Sequence, residues 1–157
     1  MITNYVGDVI IAWENCPKDA ILVHGCNCFH TMGAGIARRI KELYREAYDA
    51  DTYTVYGDKS KLGTYSKWNF PDLDYFVDKT IVNAYTQYNY GIIDNKIPFS
   101  YKAFEKVMTK INEDFPTQEI FMPRIGCGLA GADWDKVKEI LEKVFKNRII
   151  RVYTLNW

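Results

Sequence analysis

The sequence predicts a layered α/β domain. Three observations carry the prediction. Short β-rich segments alternate with amphipathic helical ones along the whole chain. No internal repeat, low-complexity stretch or Gly/Ser/Pro-rich linker interrupts that alternation, so one domain is expected over residues 1–157. Hydrophobic residues make up 48% and charged residues 25%, the profile of a soluble chain able to bury a core.

The elements follow in order. Residues 2–6 read as a first strand, stopped by Gly7-Asp8. Residues 20–25, AILVHG, form a short apolar run suited to a buried strand. Residues 35–44 place Ile36, Ala37, Ile40, Leu43 and Tyr44 at helical spacing, and a second helical piece follows through Tyr48 and Ala50. From Gly63 to Val82 the pattern changes: two β-rich segments, LGTYSKWNF and DYFVDKTIVNAY, are expected to turn at Pro71-Asp72. Residues 100–115 carry an apolar stripe of Ala103, Phe104, Val107, Met108 and Ile111, with Pro116 as the stop. A strand over 119–122, a helix over 133–145 and a last strand over 149–155 complete the pattern, and their order predicts a parallel crossover.

Composition also excludes partners. Lys and Arg total twenty, as do Asp and Glu, and a neutral chain is a poor sequence-specific binder of duplex DNA. A small anion remains a suitable ligand, because backbone amides hold one without any lysine. The opening ten residues lack a basic, apolar leader, and no run approaches a membrane span. The cysteines, Cys16, Cys26, Cys28 and Cys127, do not form a secreted disulfide framework. A reduced, cytoplasmic protein without a membrane partner is expected.

Two glycine-bearing loops, each between a buried strand and a helix, carry the chemistry. The first is VHGCNCFHTMGAGIA (23–37) and the second MPRIGCGLAGADW (122–134). Glycine lets a backbone approach a ligand and turn its amides toward an anion, and the following helix N-terminus adds partial positive charge. Two such loops at the carboxyl ends of strands suit the two phosphates of one diphosphate. Neither fits a Walker A or a GxGxxG pattern. Tight turns with close helix packing are the plainer reading of either loop alone.

These residues resemble the macro domain family, which binds ADP-ribose, over essentially the whole chain. Gly7-Asp8-Val9 resembles its Gly-Asp-Ile/Leu motif, and Val23 to Asn27 its Val-Asn-Ala-Ala-Asn segment. Gly33 to Ala37 resembles its first phosphate loop and Pro123 to Gly131 its second, and Val152-Tyr153 stands where the last strand supplies an adenine-stacking ring. The phrases are most similar to small stand-alone proteins that process ADP-ribose 1″-phosphate, with a further likeness to the branch containing the terminal ADP-ribose protein glycohydrolase. The resemblance implies a three-layer α/β/α fold around a mixed sheet of about six strands. It implies an adenine contact at Asp8 and Val9, and a distal-ribose contact at Asn27. It implies a phosphate seat at Gly33, Ala34, Gly35 and Ile36, and a second one, with the distal ribose, at Gly126, Cys127, Gly128, Leu129 and Ala130. Tyr153 would stack on adenine. Plainer roles stand beside these: a turn or helix cap for Asp8, an Asx turn for Asn27, core packing for Tyr153.

Departures from the family bear on the reaction. The glycohydrolase branch has a lysine near the central strand and an aspartate after Gly-Cys-Gly-Leu, whereas this chain has Thr86 and Gln87 in the first region and Ala130 at the second position. A covalent lysine intermediate is therefore not expected. The two histidines, His24 and His30, both lie in the first loop region. His24 reads mainly as a satisfied core residue, and His30 divides between general acid–base work and exposed surface. Asp133 is either an N-cap or the carboxylate that handles a water. Asn27, His30 and Asp133 are thus the catalytic candidates. No metal or other cofactor is expected: His24, Cys26, Cys28 and His30 alternate, but residues on one face of a strand stand about 7 Å apart and one zinc cannot gather them. Cys127 lacks a following arginine to support a thiolate nucleophile. The expected reaction is hydrolysis of ADP-ribose 1″-phosphate to ADP-ribose and phosphate. The alternatives are release of ADP-ribose from modified macromolecules, or binding without turnover.

Overall fold

The computed structural model describes residues 1–91, 95–128 and 130–155. Six strands, β1 (Ile2–Val6), β2 (Ala20–Cys26), β3 (Tyr65–Asp72), β4 (Val77–Tyr85), β5 (Glu119–Pro123) and β6 (Ile150–Thr154), form one sheet in the order β1-β6-β5-β2-β4-β3. Every pairing is parallel except the antiparallel β3/β4 edge. The helices are α1 (Val9–Glu14), α2 (Gly35–Leu43), α3 (Arg45–Thr52), α4 (Tyr101–Asp114) and α5 (Trp134–Val144).

Strand alternation divides the core into two layers. Ile21, Val23, Val82, Met122 and Val152 face α4 and α5, where Phe104, Val107, Ile111 and Leu141 pack. Ala20, Leu22, Ile81 and Phe121 face the other way, against Val9, Ile10 and Trp13 of α1, Ile40 of α2 and Ala47 of α3. The result is the expected three-layer α/β/α arrangement with a mixed six-stranded sheet.

Two local readings need correction. Pro71 and Asp72 do not turn the chain. They close β3, pairing with Asp78 and Val77, and the turn lies at 73–76. Proline is tolerated there because β3 is an edge strand with one side free of ladder bonds. Helix α1 was not anticipated. It is only six residues long, too short for a helical period to show in VIIAWE. Its first turn is capped by Asp8, whose Oδ1 accepts from the Ile10 amide at 2.9 Å. Its far end is closed by a lysine from the central sheet. Lys79 is buried, and its Nζ donates to the carbonyls of Trp13 (3.1 Å), Glu14 (3.1 Å) and Cys16 (2.6 Å), with Asp72 Oδ2 at 3.4 Å.

Candidate functional site

The two glycine loops leave the carboxyl ends of β2 and β5 side by side, since those strands are neighbours in the sheet. Helix α2 begins directly on the first loop. Its N-cap position, Ala34, offers no side-chain acceptor, and its first turn holds no acid. Among the described residues the amides of Gly35, Ile36 and Ala37 have no acceptor, so the helix presents open donors and its positive end. A Cβ built at Gly33, Gly35 or Gly128 would meet no atom within 4 Å, so these three positions border open space. Gly126 differs: it has φ +80°, and a Cβ there would run into the Phe99 ring.

The open space is a cleft with two connected hollows. The inner one, of about 600 Å³, is lined by Asn27, Thr31, Gln87, Tyr90, Gly126 and Ala130 among others. The outer one, of about 750 Å³, reaches Asp8, Val9, Arg38, Arg39, Cys127 and Tyr153. Gly35, Ile36, Pro123, Arg124 and Gly128 border both and form the waist. Gly33 and Ala34 line the inner hollow. Leu129, also expected at this site, lies outside the described residues.

Individual side chains combine a local duty with a place on the cleft wall. Asn27 accepts from the Phe29 amide at 2.8 Å and donates to Thr31 Oγ1 at 2.5 Å, which folds the first loop while the residue faces the inner hollow. Tyr153 lines the outer hollow and stacks on Tyr5 at 4.9 Å and 17° and on Phe121 at 6.1 Å and 28°. Asp8, besides capping α1, pairs through Oδ2 with Arg39 at 2.6 Å. Burial pushes the Cys127 thiol up, despite the opposing pull of Arg124, so a neutral thiol borders the waist.

Two catalytic candidates are not brought to the cleft. His30 has φ +57° and its Nε2 meets Thr54 O at 2.8 Å, directed toward the segment after α3 rather than into either hollow. Asp133 caps α5 by accepting from the Asp135 amide at 2.9 Å, and it lines neither hollow. Among the described residues no carboxylate or imidazole lines the inner hollow. Nor do three or more His, Cys, Asp or Glu side chains gather at metal-binding distance there.

His24 sits under the cleft, in the sheet. Its Nε2 is 2.6 Å from Asn83 Oδ1. The amide nitrogen of Asn83 donates to Ala47 O and Ser66 Oγ, so Oδ1 is the acceptor and His24 carries its proton on Nε2. Burial lowers its pKa to about 4 from an ordinary 6.5, with the Asn83 bond opposing. In the unfolded chain the ring takes a proton near the ordinary value. Its contribution to stability is therefore complete above that value and is lost as pH falls through the window down to about 4. The loss amounts to about 1.4 kcal/mol per pH unit at most. We expect the His24 ring nitrogen resonances at pH 5.5 to be those of the neutral Nε2–H form; an imidazolium signature at that pH would contradict the assignment.

Several wall residues escaped the sequence reading. Thr31 and Tyr90 border the inner hollow, and Arg39 the outer one. Thr31 had a signal, its place inside the first glycine loop. Arg39 had none, because its partner Asp8 is distant in sequence and reaches it only through the fold.

This geometry has counterparts. No protein-family model matches the chain. A bacteriophage T4 protein, described as an uncharacterized 17.5 kDa protein in the tk–vs intergenic region, is 34% identical over 150 residues, covering 90% of this chain and 89% of its own. The solved macrodomain of Thermus aquaticus DarG superposes with a TM-score of 0.73 at 19% identity, over 98% of both chains. The chain has the macrodomain fold. A bovine relative, the ADP-ribose glycohydrolase OARD1, is 28% identical over 98% of this chain and 91% of its own length.

Proposed function

We propose that the cleft binds ADP-ribose and that the bond broken lies at the distal ribose, with hydrolysis of ADP-ribose 1″-phosphate to ADP-ribose and phosphate as the reaction. The observation that carries the reading is the waist. Two glycines, Gly35 and Gly128, border both hollows with open space beside them; the outer hollow is also lined by Tyr153 and the acceptor Asp8, and the inner one by the amide side chain of Asn27. That sequence of chemistries matches adenine, diphosphate and ribose laid end to end. Tyr153 gives the base a surface, Asp8 accepts from its amino group, loop amides take the phosphates, and Asn27 meets the ribose hydroxyls.

The inner hollow suits electrostatic more than acid–base catalysis. A phosphate monoester transfers its phosphoryl group to water through a loose transition state, so positioning and amide donors on the equatorial oxygens supply most of the help. With no carboxylate or imidazole of a described residue on that wall, turnover should be slow. A second reading, release of ADP-ribose from a modified macromolecule, is favoured by the likeness to the OARD1 glycohydrolase. Gln87 on the wall and Ala130 in the loop weigh against the covalent version of that reaction.

One experiment separates the readings. The protein is incubated with ADP-ribose 1″-phosphate and, separately, with ADP-ribosylated protein and DNA. Inorganic phosphate from the first supports the proposal. Free ADP-ribose from the second alone overturns it for the alternative, and tight binding with neither product leaves a binding module. The base end is tested by Asp8→Ala, which should weaken ADP-ribose by about 1.5–3 kcal/mol while leaving ribose 5-phosphate unaffected. Equal calorimetric affinity of mutant and wild type would remove Asp8 from the site.

A further inference from the structure

We propose that Arg39 is a positioning residue that sets the cleft's preference for the 6-amino group of adenine, acting through Asp8. The inference rests on the ADP-ribose reading of the outer hollow. Asp8 is held at both oxygens. Oδ1 accepts from the Ile10 amide at 2.9 Å, and Oδ2 lies 2.6 Å from Arg39 Nη1 in a salt bridge. The first contact alone leaves the carboxylate free to swing about its Cβ–Cγ bond. The second stops that rotation, so the lone pairs left over keep one direction toward the hollow that both residues line.

The pair also joins two elements that border the outer hollow. Asp8 stands just after β1, with Tyr153 also in the lining, whereas Arg39 belongs to α2, the helix whose open amides close the first glycine loop. The helix that seats the phosphate end therefore also fixes the acceptor at the base end. An oriented carboxylate attracts an amino donor and repels a carbonyl oxygen, so it favours adenine over hypoxanthine. Arg38, the neighbouring arginine on α2, is engaged differently, donating from Nε to Glu42 at 3.0 Å along the helix.

The test compares binding of ADP-ribose with that of its counterpart carrying hypoxanthine in place of adenine. The proteins are wild type, Arg39→Met, Arg39→Gln, Asp8→Asn and the Asp8→Asn/Arg39→Met double mutant. Wild type should favour ADP-ribose, and either Arg39 variant should reduce that preference about fivefold or more. The ion pair is partly exposed, so Tm should stay within about 3 °C of wild type. In the Asp8→Asn background, removing Arg39 should change the preference less than about twofold, because its effect runs through the carboxylate. An unchanged or increased preference in the single variants overturns the proposal. So does an equal loss in the Asp8→Asn background, which would mean direct contact with the base. If wild type binds both nucleotides equally, Asp8 does not read the amino group and the inference falls while the cleft assignment stands. If wild type binds neither, the ADP-ribose reading itself fails.

Discussion

Gly128→Val should lose ADP-ribose almost entirely while folding normally. Gly128 is at the waist of the cleft, where both hollows meet. A Cβ at this position meets no protein atom within 4 Å, and its φ lies outside the left-handed region that only glycine adopts freely. Backbone strain therefore does not arise, and the branched side chain projects into the space that a phosphate or ribose must fill. Loss of the close approach, together with the displaced amide contacts, should cost about 3 kcal/mol, a hundredfold in Kd or more. The melting temperature should stay near that of wild type. Gly126→Val is the informative contrast. At φ +80°, with the Phe99 ring in the way, it should unfold the loop and lower Tm along with binding. A Gly128→Val protein that binds ADP-ribose as wild type does would take the ligand out of the waist.

Lys79→Met should be the most damaging single change to stability. Its ammonium group is buried and closes three carbonyls at the end of α1, with Asp72 as counter-ion. Methionine fills a similar volume but leaves those acceptors and the carboxylate without their donor. An unsatisfied buried group costs about 1–3 kcal/mol, and non-additive losses among neighbours suggest about 3–5 kcal/mol in all. Thermal unfolding should fall by about 10 °C for a chain of this size. Lys79 lines neither hollow, so ADP-ribose affinity of the folded variant should be unchanged. A shift in Tm below about 3 °C would show that water or a local rearrangement replaces the lysine.

Much of the fold was legible because its signals are local. The stripe of Phe104, Val107 and Ile111 and the apolar run before Gly25 each announce an element within a few residues. The same holds for the two glycine loops, whose Gly35 and Gly128 border the cleft as expected of residues that let a ligand approach. Short or distant relations were less visible. Helix α1 has less than two turns, and Asp8 announces it only as a cap. His30 and Asp133 sit near the loops in sequence, but a left-handed turn and an N-cap direct their side chains elsewhere. The Asp8–Arg39 and His24–Asn83 pairs arise from strand register and helix placement, which a single sequence does not reveal.

Whether amides of the two glycine loops seat the diphosphate of ADP-ribose is read from the backbone amide resonances during an ADP-ribose titration. Saturable shifts are expected, largest at Gly35, Ile36, Gly126 and Gly128 and smaller at Asp8 and Asn27. Saturation with those amides unmoved, or shifts centred on another face of the sheet, would contradict that seating.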